Sequence, residues 1–268
     1  MNKILIVGCG HMGSALLSSW IKKTSFKFTV VDPKNYSSLK KKFPKKIKFY
    51  KSFNQIKSVR DFDVIVFAIK PQVANKVIKA YSNLVKKNIL LISIIAGKQI
   101  NFLQKSIIYS NQIVRVMPNM PALVERGTSC LVSSKSTSFN NKKISLNLFE
   151  KVGTAIWLKK ESDLDKITAI SGSGPAYYFL FIYYLEMAAY DLGLSKKIAK
   201  ELVYKTAYGS LKLLEKDSSE AKDLKNKIAV KGGTTEAAIK VFEKNNSFKN
   251  IIHKAIKAAY SKSKKLSK

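Results

Sequence analysis

Short apolar runs alternate with helix-like patterns over the first half of the chain. Each run is rich in Val and Ile and ends near Gly, Pro or Asp, which is typical of strands buried on both faces. The runs are residues 4–7, 28–31, 63–69, 89–95, 113–117, 129–132 and 154–157. The segments between them, including residues 15–21 and 144–149, have apolar side chains at helical spacing. This alternation predicts a doubly wound α/β sheet that binds ligands at the carboxyl ends of its strands.

The strand pattern stops after Asp165, and only helical patterns follow, at residues 176–192, 198–214, 237–242 and 251–260. We therefore expect two domains, an α/β domain over residues 1–161 and an all-helical domain over residues 162–268. Residues 176–192 carry apolar and aromatic side chains on nearly every helical face, so this helix must be buried all round. That composition favours a subunit interface anchored by aromatic residues, while a central helix of a monomeric bundle remains an alternative.

A glycine-rich turn, Gly8-Cys9-Gly10-His11-Met12-Gly13, joins the first strand to the first helix. This strand–turn–helix context is the one in which the GxGxxG pattern binds dinucleotides in Rossmann domains. Gly8 permits the tight turn, Gly10 lets the backbone approach a pyrophosphate, and Gly13 lets the helix pack closely on the strand. The first amides of the helix then face the phosphates.

Asp32 ends the second predicted strand, at the position where an acidic side chain binds a ribose hydroxyl in such domains. That charge favours NAD over NADP, but Lys34 offers a counter-charge, so the preference stays open. A purely structural role for Asp32, as a turn residue before Pro33, is the alternative.

A second glycine segment, Lys231-Gly232-Gly233-Thr234-Thr235, opens a helix in the second half. Glycines followed by free helical amides form a site for a small anion such as a carboxylate, and the two threonine hydroxyls add donors. By itself this segment would also fit an ordinary threonine cap behind a flexible turn.

The formal charge of +32 is carried almost entirely by lysine, because arginine occurs only at Arg60, Arg115 and Arg126. Lysine is dense at residues 40–42, 45–48 and 262–268. Nucleic-acid sites usually rely on arginine, so we interpret the charge as an AT-rich codon bias or a solvated surface. A dedicated polyanion site is the less favoured alternative.

No apolar run approaches the roughly 18 residues of a membrane span, and none is expected. Two cysteines, Cys9 and Cys130, are too few for a disulfide framework, which favours a cytoplasmic location. Two histidines, His11 and His253, argue against a metal centre and against a Ser-His-Asp arrangement. Hydride transfer needs little acid–base apparatus, because the cofactor carries the chemistry.

Several motifs together resemble the pyrroline-5-carboxylate reductase family, nearly from end to end. They are the glycine-rich turn, Ala68-Ile69-Lys70-Pro71, Ser93-Ile94-Ile95-Ala96-Gly97, Arg115-Val116-Met117-Pro118-Asn119-Met120-Pro121, Ser171-Gly172-Ser173-Gly174-Pro175-Ala176-Tyr177 and Gly232-Gly233-Thr234-Thr235. The last three are specific to the family, whereas the glycine-rich turn is shared by many dehydrogenases.

The resemblance implies a Rossmann domain followed by a helical domain that interlocks with a partner in a dimer or larger homo-oligomer. It implies reduction of 1-pyrroline-5-carboxylate to L-proline with NADPH or NADH. The substrate carboxylate would rest on amides of Gly232, Gly233 and Thr234, and the Thr235 hydroxyl would contact the ring nitrogen. The cofactor would contact Val7, Gly8, Cys9, Gly10, His11, Met12, Asp32, Asn54, Ala68, Ile69, Lys70, Pro71, Ile95, Ala96 and Gly97.

The chain departs from the family at four positions. Val230 and Lys231 replace a common Ser-Pro pair, Met120 replaces a threonine and Asn226 replaces an aspartate. Loss of the serine hydroxyl puts fine substrate contacts in doubt, and the Lys231 charge could offset it by attracting the carboxylate.

Two other classes remain as alternatives. The β-hydroxyacid dehydrogenases have the same two-domain plan, but they carry a catalytic lysine soon after a similar glycine segment, and residues 176–179 contain none. A nucleotide-responsive or nucleic-acid-binding protein is supported only by the charge.

Overall fold

The computed structural model describes residues 2–43, 47–56, 58, 61–82, 85 and 88–267. Lys45, Lys46, Arg60 and Lys268, which belong to the basic residues discussed above, lie outside this description.

One mixed sheet organises the first part of the chain, and eight of its strands lie in the described residues, in the order β3-β2-β1-β4-β5-β6-β7-β8. The strands are β1 (Lys3–Val7), β2 (Lys27–Val31), β3 (Lys48–Tyr50), β4 (Val64–Phe67), β5 (Leu90–Ser93), β6 (Ile113–Met117), β7 (Gly127–Ser133) and β8 (Gly153–Trp157). All neighbours are parallel except β6 and β7. The predicted doubly wound α/β class is confirmed.

Helices connect and follow these strands. They are α1 (His11–Lys23), α2 (Tyr36–Lys42), α3 (Pro71–Tyr81), α4 (Ile100–Ser106), α5 (Phe139–Glu150), α6 (Asp163–Ile167), α7 (Gly174–Asp191), α8 (Lys196–Lys216), α9 (Ala221–Ile228), α10 (Thr234–Glu243) and α11 (Ser247–Leu266). Short 3₁₀ turns span Phe53–Gln55, Met120–Val124 and Lys244–Asn246, and a π-helical turn spans Thr168–Gly172. No described helix is both long and apolar enough to cross a bilayer.

The sequence-based assignment named no separate pattern for several short elements, among them β3, α6 and α9. Strand β3 is only three residues long, its first residue is exposed, and it pairs with β2 alone, so no apolar run marks it. Helix α9 has the sequence AKDLKNKI, in which Ala221, Leu224 and Ile228 lie at helical spacing, but the segment is only eight residues long and mostly polar.

Side chains alternate along the strands and build a core on each face of the sheet. Ile4 and Ile6 belong to one buried cluster, and Leu5 and Val7 belong to the other. Trp20 of α1 lies at the centre of the first cluster, stacked on Phe28 and edge-on to Phe149 at centroid distances of 6.1 and 5.7 Å.

The indole N–H of Trp20 donates a 2.7 Å hydrogen bond to the carbonyl of Leu148. Helices α1 and α5 are therefore joined by a buried polar bond as well as by aromatic packing.

The chain divides into two compact units. Unit 1 contains residues up to Ser173 together with residues from Ala259 onward, and unit 2 contains Gly174–Ala258. Within unit 1 the carboxylate of Asp165 accepts hydrogen bonds from Ser263 and Ser267 at 2.7 and 2.8 Å, which anchors the end of α11. The functional boundary expected between residues 161 and 162 stays a prediction.

Replacing Trp20 by Phe should lower the free energy of unfolding by about 2–3 kcal/mol, because it leaves the Leu148 carbonyl unpaired and the site underfilled. Urea unfolding followed by circular dichroism measures the change. Trp157→Phe is the matched control, since Trp157 is only half-buried in β8. Equal losses in the two variants would contradict a special role for the Trp20 bond.

Candidate functional site

A cavity of about 900 Å³ lies at the carboxyl ends of β1, β2 and β4. Val7, the last residue of β1, pairs with Val31 on one side and Phe67 on the other, so these strand ends are level. Strand order reverses between β1 and β4, which is where doubly wound folds bind ligands. The volume lies in the range of cofactor sites in proteins.

Most of the predicted cofactor residues line this cavity, namely Val7, Gly8, Cys9, Gly10, His11, Asp32, Ala68, Ile69 and Lys70. The others, Met12, Asn54, Pro71, Ile95, Ala96 and Gly97, are not part of its lining. The structure thus brings together the motifs that follow β1, β2 and β4.

The backbone at Gly8 requires glycine for two reasons. Its φ is +83°, and a Cβ there would lie 2.7 Å from the carbonyl oxygen of Ala68. At Gly13 a Cβ would lie 3.0 Å from the carbonyl oxygen of Gly8, so the helix packs tightly on the turn. At Gly10 no protein atom would lie within 4 Å. The side of the turn that faces away from the protein at Gly10 is therefore open to a ligand.

Helix α1 begins directly after Gly10, and no side chain caps its first amides. Such amides lack intrahelical acceptors and carry the positive end of the helix dipole. An open glycine, uncapped amides and a large cavity together fit the pyrophosphate of a dinucleotide.

Asp32 is 6% exposed and accepts four hydrogen bonds from the protein. Oδ1 accepts from the amides of Lys34 and Asn35 at 2.9 and 2.8 Å. Oδ2 accepts from the Cys9 amide at 2.7 Å and from Asn35 Nδ2 at 3.1 Å. The carboxylate thus links the glycine-rich turn to the turn after β2.

Cys9 lies in the glycine-rich turn and is almost fully buried. Burial, and secondarily the charge of Asp32, raise the pKa of its thiol to about 12. The thiol is protonated at neutral pH and is unsuited to nucleophilic chemistry.

Five lysines line the cavity, namely Lys34, Lys42, Lys51, Lys70 and Lys76, and Asp32 is the one acidic residue in the described lining. The ammonium of Lys42 lies 3.2 Å from the hydroxyl of Ser14 and so reaches from α2 to the first turn of α1. Sequence reasoning missed Lys42, Lys51 and Lys76 because lysine is abundant everywhere in this chain.

The turn after β5, which contains Ile95, Ala96 and Gly97, has a different environment. Gly97 has a φ of +76°, and any side chain there would overlap the backbone of Leu266 at the end of α11. Three residues after Gly97, the Ile100 amide donates a hydrogen bond to the Glu161 carboxylate at 2.8 Å. The buried Arg115 guanidinium donates to the same carboxylate at 2.9 Å. This turn is therefore held by unit 1 itself.

Asn119 connects two of the specific sequence motifs. Its Oδ1 accepts from the Thr128 amide at 2.8 Å, and its Nδ2 donates to the carbonyl and hydroxyl oxygens of Ser171 at 3.2 and 3.1 Å. Ser171 lies in the π-helical turn, a type of irregularity that is frequent at functional sites. The motif after β6 and the motif before α7 are thus adjacent in space.

The segment expected to bind substrate lies in unit 2. Gly232 has a φ of +77°, and its amide donates to Glu236 at 2.8 Å. This bond is the main cause that lowers the pKa of Glu236, and a hydrogen bond from Lys240 is the second. The Gly233 amide donates to the carbonyl of Val230 at 3.0 Å.

Two of the three amides expected to hold the carboxylate thus already have protein acceptors. Helix α10 begins at Thr234, so the amides of its first turn have no intrahelical acceptor. Thr234 is exposed and Thr235 is half-buried.

Among the departures from the family pattern, Val230, Lys231 and Asn226 are exposed, as is Met120 in unit 1. In the described parts of the chain, no three His, Cys, Asp or Glu side chains come together to form a metal site.

Comparison with known proteins now identifies the family. Residues 161–266 match a family model described as pyrroline-5-carboxylate reductase dimerisation, and residues 3–97 match one described as NADP oxidoreductase coenzyme F420-dependent. The pyrroline-5-carboxylate reductase of Haemophilus influenzae is 33% identical over 98% of this chain and 97% of that protein. The chain belongs to the pyrroline-5-carboxylate reductase family.

Solved structures of the family have the same fold. The Plasmodium falciparum pyrroline carboxylate reductase, crystallised with NADP bound, is 34% identical with a TM-score of 0.86 over 100% of this chain and 98% of that one. The Coxiella burnetii pyrroline-5-carboxylate reductase is 30% identical with a TM-score of 0.88 over 100% and 99%. The family recognised from the motifs is confirmed.

Replacing Asn119 by Ala should destabilise unit 1 by about 2–3 kcal/mol, because it leaves the half-buried Thr128 amide and the Ser171 oxygens without the partner they have now. Thermal unfolding followed by circular dichroism measures the effect. Asn141→Ala is the control, since its side chain makes one half-buried bond to Gln112. A loss no larger than that of the control would show that Asn119 does not join the two motifs.

Proposed function

We propose that this chain catalyses the NAD(P)H-dependent reduction of 1-pyrroline-5-carboxylate to L-proline, the last step of proline biosynthesis. The observation that carries the proposal is the match to pyrroline-5-carboxylate reductases over essentially the whole chain. The enzyme is an oxidoreductase that acts on a C=N bond, and the proposal uses both units, unit 1 for the dinucleotide and unit 2 for the substrate.

Unit 1 supplies the proposed cofactor contacts. When bound, the nicotinamide cofactor supplies a hydride for the imine carbon. The uncapped first amides of α1 and the open side of Gly10 hold the pyrophosphate. The remaining proposed contacts are Val7, Gly8, Cys9, His11, Met12, Asp32, Asn54, Ala68, Ile69, Lys70, Pro71, Ile95, Ala96 and Gly97.

Unit 2 supplies the proposed substrate contacts, Gly232, Gly233, Thr234 and Thr235. The two glycines shape the turn, and the first amides of α10 receive the substrate carboxylate. The exposed Lys231 adds a positive charge beside that turn. The Thr235 hydroxyl donates a hydrogen bond to the ring nitrogen, which increases the electrophilicity of the imine carbon. The nitrogen takes up a proton from solvent as the hydride reaches that carbon. Orientation of two reactants can contribute about 7–11 kcal/mol to lowering a barrier.

We further propose that α7 forms the interface of a homodimer or larger homo-oligomer. Its aromatic side chains are exposed, including Tyr178, Phe179 and Tyr184 at 63%, 65% and 61%. An apolar surface of this kind marks a site of protein association. Glu186 also belongs to α7, and its Oε1 is buried without a hydrogen-bond partner among the described residues. A second subunit packed on α7 would supply the donor.

A cytoplasmic location is part of the same proposal. Both cysteines are free thiols and buried, which fits a reducing compartment. We do not expect nucleic acid to be a partner, because arginine is scarce.

The direct test uses purified protein with 1-pyrroline-5-carboxylate and follows NADH and NADPH oxidation separately. Oxidation that depends on the imine supports the proposal, and no oxidation of either cofactor contradicts it. Salt-dependent DNA binding without reductase activity would instead favour the nucleic-acid alternative.

Thr235→Ala should lower kcat roughly 10- to 100-fold, because the ring nitrogen loses its hydrogen-bond donor. Thr235→Ser retains the hydroxyl and should recover most of the rate. Fluorescence titration of the reduced cofactor should give unchanged binding for both variants. Unchanged kinetics in Thr235→Ala would remove the proposed role of this hydroxyl.

A further inference from the structure

We propose that this chain selects NADPH over NADH, and that Lys34 and Lys42 bind the 2′-phosphate while Asp32 serves as a fixed internal link. The inference rests on the proposed function, because it assumes that the cavity holds a nicotinamide dinucleotide. It concerns the three side chains that decide which of the two cofactors fits.

The hydrogen-bonding capacity of Asp32 is fully used within the protein. An ionised carboxylate offers about four lone-pair positions for hydrogen bonds. All four are used by protein donors, at distances between 2.7 and 3.1 Å. A ribose hydroxyl could bond to Asp32 only by displacing one of these donors. Asp32 is therefore not available for the hydroxyl contact by which an acidic residue at this position favours NADH.

The bonds to Asp32 hold two loops of the cavity together. Three of them come from backbone amides, one in the glycine-rich turn and two in the turn after β2. The carboxylate therefore holds two loops of the cavity in place for either cofactor. Because its charge faces three backbone amides, their dipoles offset part of its repulsion toward a phosphate bound at the surface of the same turn.

Two lysines line the cavity together with Asp32. Lys34 directly follows the Asp32-Pro33 pair, and Lys42 projects from α2 to within 3.2 Å of Ser14. An ammonium has three donors, so Lys42 keeps two after its bond to Ser14. Both side chains are exposed and line the cavity next to the end of the second strand, where this fold places the adenosine ribose.

A 2′-phosphate carries a charge close to −2 at neutral pH and accepts several charge-assisted hydrogen bonds. NADH places only a hydroxyl at the same position. The extra anion of NADPH therefore meets two flexible cations and no available carboxylate, whereas the ribose hydroxyl of NADH gains no comparable partner.

The experiment measures binding of two adenosine fragments to the full-length protein by isothermal titration calorimetry. Adenosine 2′,5′-bisphosphate carries the 2′-phosphate, and AMP is the same molecule without it. We expect the bisphosphate to bind at least about tenfold more tightly at low ionic strength, and the preference to shrink as salt is added. Equal affinity for the two fragments would overturn the proposal.

Lys34→Ala and Lys42→Ala should each weaken binding of the bisphosphate about three- to fivefold and leave binding of AMP unchanged. Lys41→Ala is the matched control, because Lys41 is an exposed neighbour on the same helix that does not line the cavity. A loss of the same size in Lys41→Ala would show that the preference arises from the general charge of the protein, and would overturn the assignment to these two residues.

Asp32→Asn separates the two roles of the aspartate. As an internal link, its loss should weaken AMP and the bisphosphate by the same factor and lower the melting temperature, because an amide group would face backbone donors. If Asp32 instead repels NADPH, the variant should bind the bisphosphate more tightly while AMP binding stays the same or falls, and this result would overturn the proposal.

Failure of the proposed function would look different. A protein that discriminates between the fragments as expected, yet oxidises neither cofactor with the imine, retains the phosphate site and loses the reductase assignment. A protein that reduces the imine while binding both fragments equally retains the function and loses the preference.

Discussion

The site depends on the close approach of two backbone segments at the centre of the sheet. Gly8 leaves β1 with a positive φ and passes so near the carbonyl of Ala68, after β4, that a side chain is excluded. This contact is possible because β1 lies between β2 and β4, and because the ends of all three strands are level. The glycine-rich turn, the first amides of α1 and the cavity in front of them all follow from that arrangement.

Around this centre, buried and half-buried acidic groups hold the loops in place. Asp32 joins the glycine-rich turn to the turn after β2, and Glu161 joins the first amide of α4 to Arg115. Asp165 holds the end of α11 through two serine hydroxyls. Each carboxylate is satisfied by several donors, as buried or half-buried charged groups require. In a chain with so few acidic residues, three of them thus act as internal connectors of unit 1.

Elements with a strong local pattern could be predicted from the sequence, and elements without one could not. The central strands were recognisable because burial on both faces demands continuous apolar runs. Strand β3 is short and partly exposed at the sheet edge, so pairing with β2 rather than its own composition makes it a strand. Strand β7 runs antiparallel to β6, and this direction depends on the connection between the two strands. The apolar pattern of a strand is the same in either direction, so it could not predict the pairing.

By themselves, the residues of this sequence determined the α/β class, the dinucleotide turn and the family, because each of these depends on glycines and apolar runs at set spacings. Only the tertiary structure decided the environment of Asp32. From the sequence, a ribose ligand and a turn residue were both possible for it, because the donors that surround the carboxylate come from two separate segments. The same holds for Lys42, which is one lysine among many until the fold brings it to Ser14 at the cavity wall.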